Sequence, residues 1–278
     1  MRCGLIGAGI GTSLSPALHE AEGRGQGLDL TYELFDVSTE SELRRTLGQA
    51  ERAGFAGVNI THPFKQQVIG LLDELSPQAR AIGAVNTVVF RNGRRRGHNT
   101  DAFGFLEAYG KEMSGKIVQL GAGGAGAAIA HALLGLDAVE HLTIVDPDPR
   151  KVIGGERVTR VPPRDLATVL EHAGVLVNAT PVGMKEHPGM PLPAELLHRG
   201  LRVVDIVYMP VETPLLRAAR DRGLRAIGGT AMCAHQAAAA FELFTGRTPD
   251  IARILRHLDS VLDEDAEKGA PHAHRDQD

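Results

Sequence analysis

The segment KIVQLGAGGAGAAIAHALL, residues 116–134, decides the fold of the second half of the chain. A short apolar run leads into a glycine-rich loop, and an alanine-rich helical stretch follows. Gly121, Gly123 and Gly126 have the G-x-G-x-x-G spacing, and the next apolar run ends at Asp146, 20 residues after the last glycine. Such glycines let the backbone approach a pyrophosphate closely, and the acid suits an adenosine ribose. The segment therefore predicts a Rossmann-type dinucleotide site.

The pattern around this segment predicts an α/β fold for the whole chain. Amphipathic stretches with apolar residues at three- and four-residue spacing alternate with short apolar runs, which lie at 2–7, 30–35, 56–60, 116–120, 141–145, 174–178 and 202–207. This alternation is typical of mostly parallel sheets covered by helices. Thr39 and Glu42 form a capping-box pattern ahead of one helix. The segment AVNTVVFRNGRRRGHNTD predicts an antiparallel hairpin around Asn92-Gly93.

A second glycine-rich segment, residues 7–11, breaks the dinucleotide spacing because Thr12 stands where the third glycine belongs. The residues that follow predict a helix start, with Ser15 as the N-cap and Pro16 as the first helical residue. Ser13 and Ser15 at a helix N-terminus could also bind a carboxylate. Both interpretations stay open, since one serine can cap the helix while the pair binds a ligand.

A lysine in an unusual position follows the predicted strand of GVNITHPFKQQ, residues 57–67. Pro63 is expected to start a helix, which would put Lys65 in its first turn, where the helix dipole is positive. The ammonium must then reach solvent or meet an anion. Asp101 by itself would be interpreted as an N-cap. Since ligands of parallel sheets collect where the strands end, Asp101 is also the expected anion for Lys65.

Overall composition limits the function classes. A chain of 278 residues is long enough for two domains, and its net charge of −4 gives no footprint for nucleic acid. Arg94–Arg96 is accordingly interpreted as a solvated hairpin tip. Cys3 and Cys233 lack metal-type spacing, and neither a signal sequence nor an apolar run long enough for a membrane span is expected. These features indicate a reduced, cytoplasmic protein.

The C-terminal segment, residues 263–278, is polar and has no apolar period, which predicts a disordered tail. His272 and His274 have no third ligand at useful spacing, so no metal site is predicted.

Several multi-residue motifs together resemble the shikimate dehydrogenase family, and most closely its NAD-dependent quinate/shikimate dehydrogenases. They follow the family's order as far as about residue 262 and read SLSPALHE, GVNITHPFKQQ, GAVNTVV, HNTDAFGF, GAGGAG, VNATPVGM, DIVYMPVETPLL and GTAMCAHQAAAAFELFTG. The resemblance implies an α/β substrate-binding and catalytic domain from residues 1–102 plus 231–262. It also implies a Rossmann NAD-binding domain from residues 103–230, with the C-terminal helices returning to the substrate domain.

The resemblance also implies roles for individual residues. Lys65 and Asp101 would be the catalytic proton-transfer pair. A hydroxylated cyclohexene or cyclohexane carboxylate would be held by Ser13, Ser15, Thr61, Asn86, Tyr208 and Gln236, whose hydroxyl and amide groups suit such a ligand. Taken alone, Tyr208 and Gln236 would equally suit a strand end and a solvated helix position. The implied cofactor-binding residues are Gly121, Ala122, Gly123, Gly124, Ala125, Gly126, Asp146, Lys151, Asn178, Thr180, Pro181, Val182, Gly183, Met184, Val207 and Gly229.

The expected function is the NAD-dependent, reversible oxidation of a ring hydroxyl of shikimate or quinate by a monomer or homodimer. A non-catalytic sensor of ligand and NAD is an alternative, as is a dehydrogenase of an amino or other cyclitol analogue. A sensor would not need Lys65 and Asp101, which favours the enzyme. Ser15, in place of a threonine, suits shikimate at least as well as quinate.

The choice of NAD depends on the end of the second strand of the cofactor domain. NADP-using members of the family have an Asn-Arg-Thr-like stretch there, whereas this chain has TIVDPD, residues 143–148. Asp146 would bind the ribose hydroxyls of NAD and repel a 2′-phosphate, and Asp148 would add to the repulsion. Arg150 and Lys151 could soften that repulsion, or could simply face solvent.

Overall fold

The computed structural model describes residues 1–148 and 154–269, with side chains described as far as residue 263. Within these residues the strands form two six-stranded sheets, and helices cover both. The predicted two-domain α/β fold is confirmed. The helices are α1 (Ser15–Gly25), α2 (Glu40–Arg52), α3 (Pro77–Ile82), α4 (Asp101–Tyr109), α5 (Gly124–Leu134), α6 (Leu166–Leu170), α7 (Pro214–Asp221), α8 (Thr230–Thr245) and α9 (Ile251–Gly269).

The first sheet has the strand order β2-β1-β3-β5-β6-β4. Its strands are β1 (Arg2–Gly7), β2 (Thr31–Asp36), β3 (Gly57–Ile60), β4 (Glu74–Leu75), β5 (Thr87–Arg91) and β6 (Arg94–His98). Strand β1 pairs in parallel with β2 and β3, while β5 runs antiparallel to both β3 and β6. Asn92 and Gly93 between β5 and β6 have φ values of 52° and 68°, as a type I′ turn requires. The predicted hairpin is therefore confirmed.

The second sheet has the order β12-β11-β10-β7-β8-β9 and is parallel throughout. Its strands are β7 (Gly115–Leu120), β8 (Val139–Val145), β9 (Val158–Val161), β10 (Val175–Asn178), β11 (Arg202–Asp205) and β12 (Ala226–Ile227). All four residues of β10 are buried, as expected for a strand covered on both faces. The glycine loop joins β7 to α5, which confirms the Rossmann-type prediction.

Two local predictions about helix starts are wrong. Leu14 precedes α1 and Ser15 is its first helical residue, so Ser15 is not the N-cap; instead the Ser13 hydroxyl accepts a hydrogen bond from the Ser15 amide at 3.3 Å. After β3 the chain forms a turn and then a 3₁₀ helix over Gln67–Leu71, so Lys65 does not lie in the first turn of an α-helix. The Lys65 carbonyl accepts a hydrogen bond from the Val85 amide at 2.7 Å, so its partner is the segment before β5 and not a following helical turn.

The C-terminal helices return to the first sheet, as predicted. Phe241 and Phe244 of α8 share a buried apolar cluster with Leu5 of β1 and Val89 of β5. Helix α9 continues through Gly269, so the disordered tail predicted from residue 263 does not begin there. Residues 270–278, with His272 and His274, lie outside the described part of the chain. Among the described helices, none combines the length and the apolar character that crossing a membrane requires.

A buried histidine in α1 makes the stability of the fold depend on pH. The His19 ring is 2% exposed and stacks on Tyr32 with 4.6 Å between the ring centroids. Its Nδ1 has no hydrogen-bond partner among the described residues. Burial lowers the pKa of His19 from 6.5 to about 3. His19 therefore binds a proton below pH 6.5 in the unfolded chain, but only below about pH 3 in the folded chain. Acidification between these two pH values favours unfolding.

We expect His19→Leu to flatten this pH dependence. Between pH 6.5 and pH 4 the free energy of unfolding should fall more steeply with decreasing pH in the unmutated protein than in His19→Leu. The two slopes should differ by up to about 1.4 kcal/mol per pH unit. Urea denaturation at a series of pH values measures the two slopes. The control His172→Leu removes an exposed imidazole and should keep the original slope. Equal slopes for all three proteins would contradict the prediction.

Candidate active site

The polar residues predicted for the substrate meet where strands of the first sheet end. The C-terminal ends of the parallel strands β1 and β3 lie side by side, and the antiparallel β5 begins at the same edge. Strand β6 returns the chain to that edge, where His98 pairs with Thr87. A cavity of about 160 Å³ lies there, and its lining includes all eight predicted catalytic and substrate residues: Ser13, Ser15, Thr61, Lys65, Asn86, Asp101, Tyr208 and Gln236.

An ion pair lines this cavity. Lys65 Nζ lies 2.6 Å from Asp101 Oδ2, and the two side chains are only 16% and 7% exposed. Asp101 is the first residue of α4, and the side chain of Asn99 accepts from the Asp101 amide at 3.0 Å and from the Ala102 amide at 3.3 Å. The N-cap interpretation of Asp101 is therefore wrong. Because Asn99 satisfies the helix start, the Asp101 carboxylate is available to the cavity.

Asn86 holds the other oxygen of the same carboxylate. Its Nδ2 donates to Asp101 Oδ1 at 2.8 Å and to Thr100 Oγ1 at 2.9 Å. Its Oδ1 accepts from the Thr100 amide at 2.8 Å and from Thr87 Oγ1 at 3.0 Å. These donors fix which end of the amide faces Asp101, and each Asp101 oxygen has its own partner.

Three hydroxyl groups, those of Ser13, Ser15 and Tyr208, also line the cavity. Ser13 Oγ donates to Ser15 Oγ at 3.2 Å, and the Tyr208 hydroxyl lines the same cavity. Burial raises the pKa of the Tyr208 hydroxyl. Tyr208 is therefore protonated at neutral pH and can donate. A carboxylate can accept from several such donors at once.

Several residues that line the cavity were not predicted from the sequence, and Asn59 is the most informative of them. Asn59 was counted only as part of an apolar strand. Its Nδ2 donates to Thr87 Oγ1 at 2.9 Å and to the Asn86 carbonyl at 3.1 Å, while its Oδ1 accepts from the Tyr32 hydroxyl at 2.6 Å. An amide side chain inside a buried strand was the available signal. The other missed lining residues are Leu5, Ile60, Ile206, Met232 and Cys233.

Cys233 does not add a reactive group to the cavity. Burial raises the pKa of its thiol to about 12, so the neutral thiol dominates at physiological pH. Within the described ranges, no group of three metal-ligating side chains is close enough to hold an ion.

The glycine loop after β7 has the geometry of a pyrophosphate cradle. Gly121 has a φ of 93°, and a Cβ at Gly126 would lie 2.4 Å from the Gly121 carbonyl oxygen. At Gly123 a Cβ would meet nothing within 4 Å, which leaves room for a ligand beside the N-terminus of α5. The buried Gln119, which was not predicted as a site residue, donates to the carbonyls of Gly121 and Gly126 at 2.8 and 2.9 Å. These features fit a dinucleotide phosphate.

Asp146 lies directly after β8 and is tied to this loop. Its Oδ2 accepts from the Ala122 amide at 2.7 Å, and its Oδ1 accepts from the Asp148 amide at 2.8 Å. The side chain thus has a structural role in addition to the ribose contact predicted from the sequence. The predicted cofactor residue Lys151, like Arg150, lies outside the described residues.

Buried polar groups fix the loops that follow β10 and β11. Asn178 donates to Asp205 Oδ1 at 2.9 Å, and Thr213 donates to Asp205 Oδ2 at 2.7 Å. Thr180 donates to Asn178 Oδ1 at 2.6 Å. Since Asn178 is fully buried, it orients the loop, whose remaining predicted cofactor residues are Pro181, Val182, Gly183 and Met184.

Gly229 has a packing reason to be glycine. A Cβ there would lie 2.2 Å from the Ile206 carbonyl oxygen, and the Gly229 amide donates to the Val207 carbonyl at 3.3 Å. This contact holds the start of α8 against the segment after β11. The predicted approach of Val207 and Gly229 to a cofactor stays a prediction.

A parallel sheet with a glycine loop, next to a cavity that holds a lysine–aspartate pair, defines the class of dinucleotide-dependent oxidoreductases. Family models agree. The shikimate dehydrogenase substrate binding domain matches residues 5–88, and the shikimate 5′-dehydrogenase C-terminal domain matches residues 229–258.

Relatives cover nearly the whole chain. A shikimate dehydrogenase (NADP(+)) of Streptomyces avermitilis is 50% identical over 273 residues, which cover 92% of this chain and 94% of the relative. A quinate/shikimate dehydrogenase (NAD(+)) of Corynebacterium glutamicum is 43% identical over 270 residues, covering 90% and 95%. The chain belongs to the shikimate dehydrogenase family.

Solved structures agree with this assignment. The quinate dehydrogenase from Corynebacterium glutamicum in complex with NAD has a TM-score of 0.82 at 42% identity, over 94% of this chain and 99% of that one. The Thermus thermophilus shikimate 5-dehydrogenase in complex with NADP(H) and shikimate has a TM-score of 0.83 at 38% identity, over 94% and 100%.

We expect Asn86→Ala to destabilise the fold as well as the cavity. The Thr100 amide would lose its acceptor in a buried place, which should lower the free energy of unfolding by about 1–3 kcal/mol. Urea denaturation measures this loss. The control Gln66→Ala truncates an exposed amide side chain close to Lys65 in sequence and should be near neutral. An Asn86→Ala protein as stable as the control would show that the hydrogen bonds of Asn86 contribute nothing to the fold.

Proposed function

We propose that this protein is an NAD-dependent dehydrogenase that reversibly oxidises a ring hydroxyl of shikimate or quinate to the 3-dehydro ketone. The observation that carries the proposal is the Lys65–Asp101 pair, 2.6 Å apart, in a cavity that Ala125 of the glycine loop also lines. A proton-transfer pair next to a dinucleotide loop is the minimum that alcohol oxidation needs. Mixing the protein with NAD and either acid should produce the absorbance of the reduced nicotinamide, and its absence with both acids would refute the proposal.

The cavity suggests how the substrate is held. The carboxylate would bind to the hydroxyls of Ser13, Ser15 and Tyr208. The ring hydroxyls would bind to the groups that can both donate and accept: Thr61, Asn86 and Gln236. This orientation directs the reacting hydroxyl toward Lys65. Ser15 offers a hydroxyl without a methyl group, which suits shikimate at least as well as quinate.

Lys65 would act as the general acid and base. During oxidation the ring carbon loses a hydride and its hydroxyl loses a proton to the Lys65 side chain. A bound nicotinamide would supply the acceptor for this hydride. In the reverse direction the lysine ammonium returns the proton to the carbonyl oxygen. Asp101 holds the lysine ammonium in place through a hydrogen bond of 2.6 Å. Because oxidation releases a proton, it should be favoured as the pH rises.

Two other functions make different predictions. A non-catalytic sensor would bind the acid and NAD without any change in absorbance, and it would have no use for the buried Lys65–Asp101 pair. A dehydrogenase of an amino or other cyclitol analogue would turn over that analogue better than shikimate and quinate. Serine, threonine and amide side chains match the hydroxyl groups of the two acids, and this match favours the proposal.

NAD is proposed over NADP because of Asp146. A buried carboxylate at the end of β8 can accept from ribose hydroxyls, whereas a 2′-phosphate would be held against a like charge. The relatives named above include both NADP- and NAD-named enzymes, so the cofactor preference of this chain rests on Asp146 and its neighbours.

The domain division and setting belong to the same proposal. Residues 1–102 with 231–262 would form the substrate domain, and residues 103–230 the NAD domain. Cys3 and Cys233 are free, buried thiols, which fits a reducing, cytoplasmic location. The protein would act as a monomer or homodimer, and its partner would be a small-molecule substrate.

We predict that Lys65→Ala lowers kcat about 10²- to 10⁴-fold, because general acid–base catalysis is lost. The dissociation constant for NAD, measured by calorimetry, should change little. Lys111→Ala removes an exposed lysine and serves as the control with normal turnover. Near-normal kcat in Lys65→Ala would refute the role of the lysine.

We predict that the unmutated protein has a higher kcat/KM with NAD than with NADP, and that Asp146→Asn narrows the difference. Asparagine removes the charge and keeps one acceptor oxygen, which can serve the Ala122 amide of the glycine loop, while the Asp148 amide loses its acceptor. Steady-state kinetics with both cofactors measure the ratio, with Asp137→Asn as an exposed control. Equal or better efficiency with NADP in the unmutated protein would overturn the choice of NAD.

A further inference from the structure

The glycine loop of one sheet contacts the catalytic lysine that belongs to the other. A Cβ at Gly124, the first residue of α5, would lie 2.8 Å from Lys65 Cβ, 3.1 Å from its Cδ and 3.4 Å from its Cγ. At the adjacent Gly123 a Cβ would meet nothing within 4 Å. The aliphatic part of Lys65 therefore lies directly across the backbone of Gly124, at a distance that no other residue type allows.

The backbone conformation at Gly124 does not require glycine. Gly124 has helical geometry and its φ lies outside the left-handed region, in contrast to Gly121. Alanine is the better helix former at such a position. What glycine contributes at residue 124 is the absence of a side chain on the surface that Lys65 covers.

Lys65 is fixed at three points along its length. Its carbonyl accepts from the Val85 amide at 2.7 Å, and its ammonium donates to Asp101 Oδ2 at 2.6 Å. Between these two points the methylene chain would be free to adopt other rotamers. Gly124 lies against this middle part and closes one side of the space available to it.

We propose that Gly124 is a positioning residue for Lys65. Its missing side chain lets the lysine cross the glycine loop and keeps the ammonium on Asp101. The loop that would hold the cofactor phosphates thereby also sets the place of the proton-transfer group. The inference rests on the proposed function, since it assigns Gly124 a part in the same reaction.

The first test is Gly124→Ala. The new methyl group must displace the lysine chain, so kcat for shikimate oxidation should fall about 10²-fold, the size of effect that a misplacement of 1 Å can have. The pH profile of kcat should change as well, because the Lys65–Asp101 pair is disturbed. Gly123→Ala is the matched control. It should raise the KM for NAD, because it fills space in the cradle, and leave the pH profile unchanged.

A double-mutant cycle separates this role from general damage to the loop. In the Lys65→Gly background, which lacks all three contacting carbons, Gly124→Ala should lower kcat no further, since both the contact and the group that it positions are gone. An unchanged kcat and pH profile in Gly124→Ala, or the same fold-loss in both backgrounds, would overturn the proposal.

Two further measurements keep the inference testable under other outcomes. If Gly124→Ala does not fold, its combination with Lys65→Gly, which removes all three contacting carbons, should fold, and a failure there also overturns the proposal. If the unmutated protein turns over neither shikimate nor quinate, the proposed function fails. The inference then depends on a crystal structure of Gly124→Ala, in which Lys65 Nζ must have left Asp101 Oδ2; an unchanged 2.6 Å contact would refute it.

Discussion

The carboxylate of Asp101 is the group on which the architecture of the cavity depends. It is nearly buried, and a buried charge is stable only if it is paired and hydrogen-bonded. Lys65 and Asn86 supply one partner for each oxygen, and they come from different parts of the first sheet. The antiparallel pairing of β5 with β3 and β6 is what brings these parts to one edge, because a purely parallel sheet would place the start of β5 at the opposite edge.

The helices are brought to this edge of the sheet by close approach of their backbones. A Cβ at Gly104 would lie 2.9 Å from both the Met232 carbonyl oxygen and the Gln236 amide nitrogen. Helices α4 and α8 therefore cross in near contact, which places Gln236 on the same cavity as Asp101 at the start of α4. A small residue at such a crossing gives up side-chain packing but lets the two helix backbones come close together. Here the close approach brings residues from distant parts of the chain into one site.

Local patterns account for what the sequence predicted well. The runs that became β1, β3, β7 and β10 are apolar and bounded by turn residues, and the Asn92-Gly93 hairpin depends on two residues alone. The strands β4, β9 and β12 were missed because they have only two to four residues, and their partially exposed edges carry no clear apolar period. Asn59 and Gln119 were missed for another reason. Their structural roles depend on hydrogen bonds to residues that are distant in sequence, and a local sequence pattern carries no information about such partners.

Asp146 shows why overall similarity does not decide the cofactor. The Ala122 amide in the glycine loop needs an acceptor whichever cofactor binds, and Asp146 supplies it at 2.7 Å. An aspartate at this position thus stabilises the loop in addition to any ribose that it contacts. Its oxygen atoms and its charge have separate roles, since the two oxygens accept from the Ala122 and Asp148 amides at 2.7 and 2.8 Å. Only the charge opposes a 2′-phosphate, and the strength of that opposition depends on how the neighbouring side chains compensate it.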